Sequence, residues 1–292
     1  MVDTSHLTKE QEQYERGMKH RPHVVILGAG ATVAAIPFGD KNGKKSSCMD
    51  GFLEKTGLDK ILCNLDLKTN STNLEDIYSE IFEKSKIYEE FQIMKEKIEK
   101  LIFDYFSNMR IPDEPTIYDH LLLSLRKKDL IASFNWDPLI IQAGFRIIKQ
   151  FPTITLPTIV FLHGNVSVYF EKTTNRIRFC PYEKINDVDL EKSQLLYPVK
   201  QKDYESNRII KGAWDLLKAF MRAAYMVTIF GYSAPKSDSA AIELMKEAWG
   251  NVEKRNLEEI EVIDIKSKDA VREIWKDFIH THHFTYSNDF YK

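Results

Sequence analysis

Two rhythms of apolar residues run along the 292-residue chain. The first is short and unalternating. His23 leads the run Val24-Val25-Ile26-Leu27, which stops at Gly28-Ala29-Gly30-Ala31-Thr32. Similar runs stand at Leu130-Ile131-Ala132-Ser133, residues 159–162, Met226–Phe230 and residues 260–263. Short continuous runs closed by glycine or a polar residue are the mark of buried parallel strands. The second rhythm is helical. Leu74, Ile77, Tyr78, Ile81 and Phe82 are spaced three and four apart, and Phe91, Met94, Ile98, Leu101, Ile102 and Tyr105 continue the pattern. This predicts two amphipathic helices over 73–108. Pro112 and Pro115 close that segment, and further helices are expected at 116–126, 139–149, 203–223, 238–249 and 269–278. Residues 166–170 and 176–179 alternate around Thr173-Thr174-Asn175, as a hairpin does.

Strands alternating with helices specify an α/β fold: a Rossmann-like, mostly parallel sheet covered on both faces. The expected organisation is a polar lead over 1–22 and one domain over 23–292, with a helical insertion at about 45–115. The apolar stripe of 73–108 suits packing onto the chain's own core or an oligomer contact.

Composition narrows the class. Apolar residues make up 43% and charged residues 29%, ordinary for a soluble globular protein. A net charge of −2 argues against a dedicated nucleic-acid surface. No apolar run is long enough to span a bilayer, and the polar start has no signal-peptide core, so the cytoplasm is the default compartment. Cys48, Cys63 and Cys180 are odd in number and far apart, which fits neither a disulfide framework nor a four-cysteine zinc ribbon. His280, His282 and His283 have no carboxylate or cysteine at ligand spacing. Lys41, Lys44 and Lys45 suit a solvated loop or a phosphate clamp.

The strand ends carry the candidate chemistry: Gly28, Asn135, His163, Gly231 and Asp264. In open α/β sheets ligands sit at these carboxyl ends. Gly28-Ala29-Gly30, between a strand and a helix, lets the backbone turn tightly and approach a phosphate. It is a poor dehydrogenase loop. The third glycine of that fingerprint is replaced by Val33, and Asp50 lies in a polar stretch, not at a strand end.

Four ordered segments resemble the sirtuin pattern. Gly28-Ala29-Gly30-Ala31-Thr32 with Ile36-Pro37-Phe38 is similar to the sirtuin loop that begins Gly-Ala-Gly. Phe134-Asn135-Trp136-Asp137 resembles its Gln-Asn-Ile-Asp, Leu162-His163-Gly164 its Leu-His-Gly, and Gly231-Tyr232-Ser233 its Gly-Thr-Ser. The match spans 23–40 and about 116–265. The departures are specific: the cysteine quartet is missing, Val33-Ala34-Ala35 replaces the usual Ser-Gly, and Phe38-Gly39-Asp40 replaces Asp-Phe-Arg. The chain is more similar to the SIR2-like, NAD⁺-hydrolysing proteins of bacterial antiphage defence. Those also tend to carry Gly-Tyr-Ser with an Asp a few residues on, here Asp238, and a stretch like 198–214. The resemblance implies NAD⁺ as substrate and no metal. It implies NAD⁺ contacts from Gly28, Ala29, Gly30, Thr32, Pro37, Phe38, Gly231, Tyr232, Ser233 and Asp264, and catalysis by Asn135, His163 and Asp137.

Each residue also has a plainer reading. His163 near its ordinary pKa can act as general base or orient the ribose, or be a satisfied strand-end histidine. Asn135 can hold water or ribose hydroxyls with donor and acceptor, or shape the turn. Asp137 before Pro138 suits a helix cap; Asp238 does too. Thr32 and Ser233 can bond phosphate oxygens, and Asp264 can accept from the adenosine ribose, or each can simply shape a loop.

The leading expectation is an NAD⁺ glycohydrolase that yields nicotinamide and ADP-ribose, an effector of antiphage defence by NAD⁺ depletion. The alternatives are a catalytically silent nucleotide-binding regulatory subunit and a protein deacylase. Constant NAD⁺ cleavage is toxic, so an activating protein chain or homo-oligomer is expected as partner.

Overall fold

The computed structural model describes residues 19–46, 52–62, 67–69, 71–182, 187–199, 202–235, 238–251, 253, 255, 258–279 and 282–292. Asp50, Cys48, Cys63, His280 and residues 1–18 lie outside them.

Six parallel strands form the central sheet: β1 (His23–Leu27), β2 (Leu130–Ser133), β3 (Thr158–Phe161), β7 (Met226–Phe230), β8 (Glu259–Ile263) and β9 (Phe284–Ser287). Their order is β3-β2-β1-β7-β8-β9. The chain winds outward from β1 in one direction and then, from β7, in the other, as in a doubly wound Rossmann sheet. The switch point falls between β1 and β7, where Leu27 pairs with Phe230. A second, antiparallel sheet joins β4 (Val168–Glu171), β5 (Arg176–Phe179) and β6 (Leu190–Lys192) in the order β5-β4-β6.

The apolar runs form strands because both faces of the sheet are covered. Alternate residues of β1 enter different cores: Val25 and Leu27 on one face, Val24 and Ile26 on the other. The first face is covered by α1 (Ala29–Ala35), α2 (Phe52–Thr56), α3 (Asp59–Leu62), α4 (Leu74–Ser85), α5 (Glu89–Ser107), α6 (Ile117–Ser124) and α7 (Leu139–Gln150). The second is covered by α8 (Arg208–Ala223), α9 (Ser239–Trp249) and α10 (Lys268–Ile274).

The helical stripe of 73–108 forms α4 and α5 and is spent inside the molecule. Leu74, Ile77, Tyr78, Ile81, Phe91, Ile98 and Ile102 are buried in the same core as β1. The buried side of the stripe packs onto the chain's own core; Ile87, Tyr88 and Ile93 are the large apolar residues this helix pair leaves exposed.

Polar anchors fix the loops leading to the site. Fully buried Gln142 accepts from Ile111 N at 2.7 Å and donates to Met109 O and Pro181 O, both at 3.0 Å. Asp119 closes a capping box with Thr116 and receives Arg146 of α7, tying α6 to α7.

Two strands were not foreseen and two helix bounds need correction. Strands β6 and β9 carry too few apolar residues to announce themselves, and each is held by pairing. The helix expected from 203 begins at Arg208, because the Asn207 side chain caps it by accepting from Ile209 N and Ile210 N. The last helix ends at Ile274, four residues early.

Candidate functional site

The carboxyl end of β1 turns directly into α1, with Gly28 at the cap position. Gly28 N donates to Phe230 O at 3.0 Å, and Gly30 N donates to Gly231 O at 2.9 Å. The first turn is thereby stitched to the end of β7. The contact is as close as backbones allow. A Cβ on Gly28 would stand 2.4 Å from Gly231 O, and one on Gly231, at φ +61°, would stand 2.3 Å from Ala31 N. The glycines at this turn make room for each other's backbone.

Thr32, one turn into α1, is buried, and its hydroxyl ties together three residues: Tyr118 of α6 and Asn135 and Asp137 after β2. Its Oγ1 donates to Asp137 Oδ2 at 2.7 Å and lies 2.8 Å from the buried Tyr118 hydroxyl. Asn135 Nδ2 donates to Thr32 Oγ1 at 3.0 Å and to Gly28 O at 2.9 Å. The amide of Asn135 is therefore held by the first loop, and its Oδ1 has no partner among the described residues.

Asp137 is buried. It accepts from Leu139 N at 3.0 Å, so it does serve the start of α7, with Pro138 between it and the first helical residue. Burial raises its pKa, opposed by the Thr32 and Leu139 hydrogen bonds. Burial also raises the Tyr118 phenol well above its ordinary value, with Asp137 as the second cause. Asn165 locks the neighbouring turn: its Nδ2 donates to Asp137 O at 2.6 Å and its Oδ1 accepts from Ser167 N at 2.9 Å.

His163 follows β3 by two residues and is also buried. Its carbonyl accepts from Leu196 N at 2.9 Å. Gly164, at φ +78°, lets residue 194 pass: a Cβ there would meet Gln194 O at 1.9 Å. The imidazole packs edge-on against Phe134 (4.8 Å between centroids) and parallel to Tyr204 (6.2 Å, 15°). Among the described residues Nε2 is buried without a hydrogen bond, as is the Tyr204 hydroxyl. Burial lowers the histidine pKa from 6.5 to about 4; Asp238 opposes the shift and Lys202 reinforces it. The ring is thus neutral at physiological pH, but it is not the unperturbed base expected from the sequence.

Asp238 occupies the cap position of α9 but makes no side-chain cap. Its Oδ1 receives Lys202 Nζ, and its Oδ2 receives the Tyr232 hydroxyl at 2.9 Å. Oδ1 lies 3.7 Å from His163 Nε2, beyond hydrogen-bond range. Tyr232, buried, stacks on Phe134.

The remaining candidates are dispersed. Pro37 and Ser233 are exposed, and Phe38 is 93% exposed. Asp264, half-buried at the end of β8, turns its Oδ1 back to Lys266 N at 2.8 Å. Ala29 is half-buried in the first turn of α1. The structure thus gathers Gly28, Thr32, Asn135 and Asp137 into one network and His163, Tyr232 and Asp238 into another, joined by Phe134. Lys41 pairs with Asp113 and Lys44 bonds Tyr105 O, so both lysines brace the loop before α2. Among the described residues no group of three or more His, Cys, Asp or Glu is placed to hold a metal ion, and no helix is long and apolar enough to cross a membrane.

Tyr118, Lys202 and Tyr204 were not singled out in the sequence. Tyr118 sits at a core position of α6, and Lys202 lies 36 residues from its partner Asp238. Neither leaves a local signal.

No protein-family model matches the chain, and no curated protein does. Among solved structures, a Sir2 homologue in complex with NAD is 13% identical, with a TM-score of 0.42, covering 96% of this chain and 90% of that one. Sir2 with a deacetylated peptide and 3′-O-acetyl ADP-ribose is 13% identical with a TM-score of 0.40, covering 96% and 93%. Sir2Tm bound to a propionylated peptide is 14% identical with a TM-score of 0.37, covering 96% and 92%.

Proposed function

We propose that this chain is an NAD⁺ glycohydrolase, cleaving the nicotinamide–ribose bond to give nicotinamide and ADP-ribose. The observation that carries the reading is the placing of Asn135 and His163 just past the ends of adjacent strands β2 and β3, with Asn135 Oδ1 and His163 Nε2 making no hydrogen bond among the described residues. Both lie at the carboxyl edge of a doubly wound sheet, on the β1 side of its switch point, and such folds take ligands at this edge.

The chemistry needs little acid help. Nicotinamide leaves as a neutral molecule, taking the bonding pair and discharging its ring nitrogen, while positive charge develops on the ribose. Water then adds to that carbon and loses a proton. Asn135, its amide fixed by Gly28 O and Thr32, offers Oδ1 to orient the water or a ribose hydroxyl. His163, held neutral by burial, offers a ring nitrogen to receive the proton. Asp137 acts through Thr32 as a positioning residue. The first turn of α1, with Gly28, Ala29, Gly30 and Thr32, is assigned to the diphosphate, as a helix N-terminus suits an anion. Gly231, Tyr232, Ser233 and Asp264 are assigned to the adenosine half, and Pro37 and Phe38 to the loop that covers the nicotinamide.

The resemblance to SIR2-like defence proteins extends the reading to NAD⁺ depletion under the control of an activating chain or homo-oligomer. Product analysis tests the reaction. Nicotinamide and ADP-ribose formed in equal amounts from NAD⁺ alone support it. Nicotinamide formed only with an acyl-lysine peptide, in step with its deacylation, overturns it in favour of a deacylase.

A further inference from the structure

Behind His163 lies a buried ionic cluster that the proposed reaction does not itself require. The Lys202 side chain is 3% exposed and that of Asp238 6%. Removing two charges from water is costly unless each meets a well-placed partner. Here Oδ1 of Asp238 receives the ammonium and Oδ2 receives the Tyr232 hydroxyl. The pair joins three separate pieces of chain: the segment before α8, the turn after β7 and the start of α9. Its third neighbour is His163, whose Nε2 is 3.7 Å from the oxygen that Lys202 occupies.

That arrangement decides which cation Asp238 holds. A lone buried carboxylate beside an imidazole draws a proton onto it, because an opposite charge nearby favours the charged form. With the ammonium on Oδ1 the carboxylate is neutralised, and a second positive charge on His163 would face Lys202 directly. Asp238 and Lys202 are the charged groups that act on the imidazole. Tyr204, stacked on the ring, and Tyr232, on the far oxygen of Asp238, are the other titratable neighbours, and burial raises both phenols, so both are neutral.

We propose that Lys202 and Asp238 are positioning residues that act through His163: on a ring that burial already disfavours charging, the Lys202 ammonium occupies Asp238 and so stops that carboxylate from drawing a proton onto Nε2 in the resting protein. The role in turnover rests on the reading of His163 as the base. The charge relation stands independently of it, and so does its test.

The test follows the carbon-bound imidazole proton of His163 by NMR in the full chain, assigned by its loss in His163→Gln. In the wild type this resonance does not titrate between pH 5 and 8. In Lys202→Met it titrates inside that range, an upward shift of at least one pH unit, and Lys202→Met with Asp238→Asn abolishes the shift. Lys202→Gln, which retains a hydrogen-bond donor without the charge, gives the same shift and serves if the methionine variant does not fold. A His163 that remains untitrated above pH 5 in the folded Lys202 variants overturns the proposal. Where the wild type turns over NAD⁺, the acid limb of its kcat/KM profile moves upward in parallel. A shift seen by NMR with no NAD⁺ turnover in any form retains the charge relation and rejects the glycohydrolase reading alone.

Discussion

Phe134 and Tyr232 lie face to face, 4.1 Å between ring centroids and 6° between planes. Phe134 follows β2 and Tyr232 follows β7, so the stack bridges the two strands that flank β1. Its edges touch both halves of the site: Asn135 is the next residue after Phe134, and His163 packs edge-on against the same ring. Replacing Phe134 with Leu keeps the position apolar but removes the stack. A loss of about 1–2 kcal/mol is expected from the lost aromatic pairing and area. Turnover should fall more than stability, because Asn135 and His163 lose a shared support. Urea denaturation and kinetics on one preparation check both.

Gly231→Ala tests the stitch at the switch point. The added Cβ meets the backbone of Gly30 and Ala31 in a left-handed conformation, and overpacking with that strain costs about 2–4 kcal/mol. Gly43→Ala is the control: its φ is +76° but nothing stands within 4 Å of the new Cβ. It should lose only the conformational strain, about 1–2 kcal/mol. Equal losses in the two variants would show that the close approach at Gly231 does not matter.

Thr32→Val preserves shape and deletes the hydroxyl. Asp137 Oδ2 then loses its donor while buried, and Asn135 Nδ2 retains only Gly28 O as a strong acceptor. Leaving a buried acceptor unsatisfied costs about 1–3 kcal/mol. An Asn135 freed from one of its two anchors should also turn over NAD⁺ at least about tenfold more slowly. Unchanged kinetics in a destabilised but folded variant would remove Thr32 from the account.

Acidification should destabilise the fold before most carboxylates titrate. Burial lowers His163 and His23 from 6.5 to about 4. Between those values the unfolded chain binds more protons at both positions than the folded one, so stability rises with pH across the window and is lost as pH falls from about 6.5 towards 4. Each histidine contributes on the order of 1 kcal/mol per pH unit there. His23→Gln with His163→Gln should flatten the dependence of the urea midpoint between pH 5 and 6.5. A slope as steep as the wild type's would assign it to other groups.

Much of the fold was legible because its signals are local. Residues 24–27, 130–133 and 226–230 announce buried strands by unbroken apolar runs, and α4 and α5 by their spacing of three and four. The strand ends were legible too, since Gly28, Asn135 and His163 each interrupt an apolar run. What was not legible depends on contacts between distant residues. β9 pairs with β8 by register and carries only a half-buried alternation. The lowered pKa of His163 comes first from burial, and the rings packed on it, Phe134 and Tyr204, lie 29 and 41 residues away in sequence. Asp238 looks like a helix cap in sequence and stands at that position; only the fold shows that its carboxylate faces Lys202 and Tyr232.

The central claim is that Asn135 and His163 cleave NAD⁺. Its most direct test is NAD⁺ turnover by the purified chain, wild type beside Asn135→Ala and His163→Ala, with products resolved by chromatography and folding checked by circular dichroism. The account predicts nicotinamide and ADP-ribose from the wild type and a loss of about 100-fold or more in each folded variant, the range expected for removing a positioned proton acceptor or orienting group. Turnover at the wild-type rate in either folded variant would contradict it.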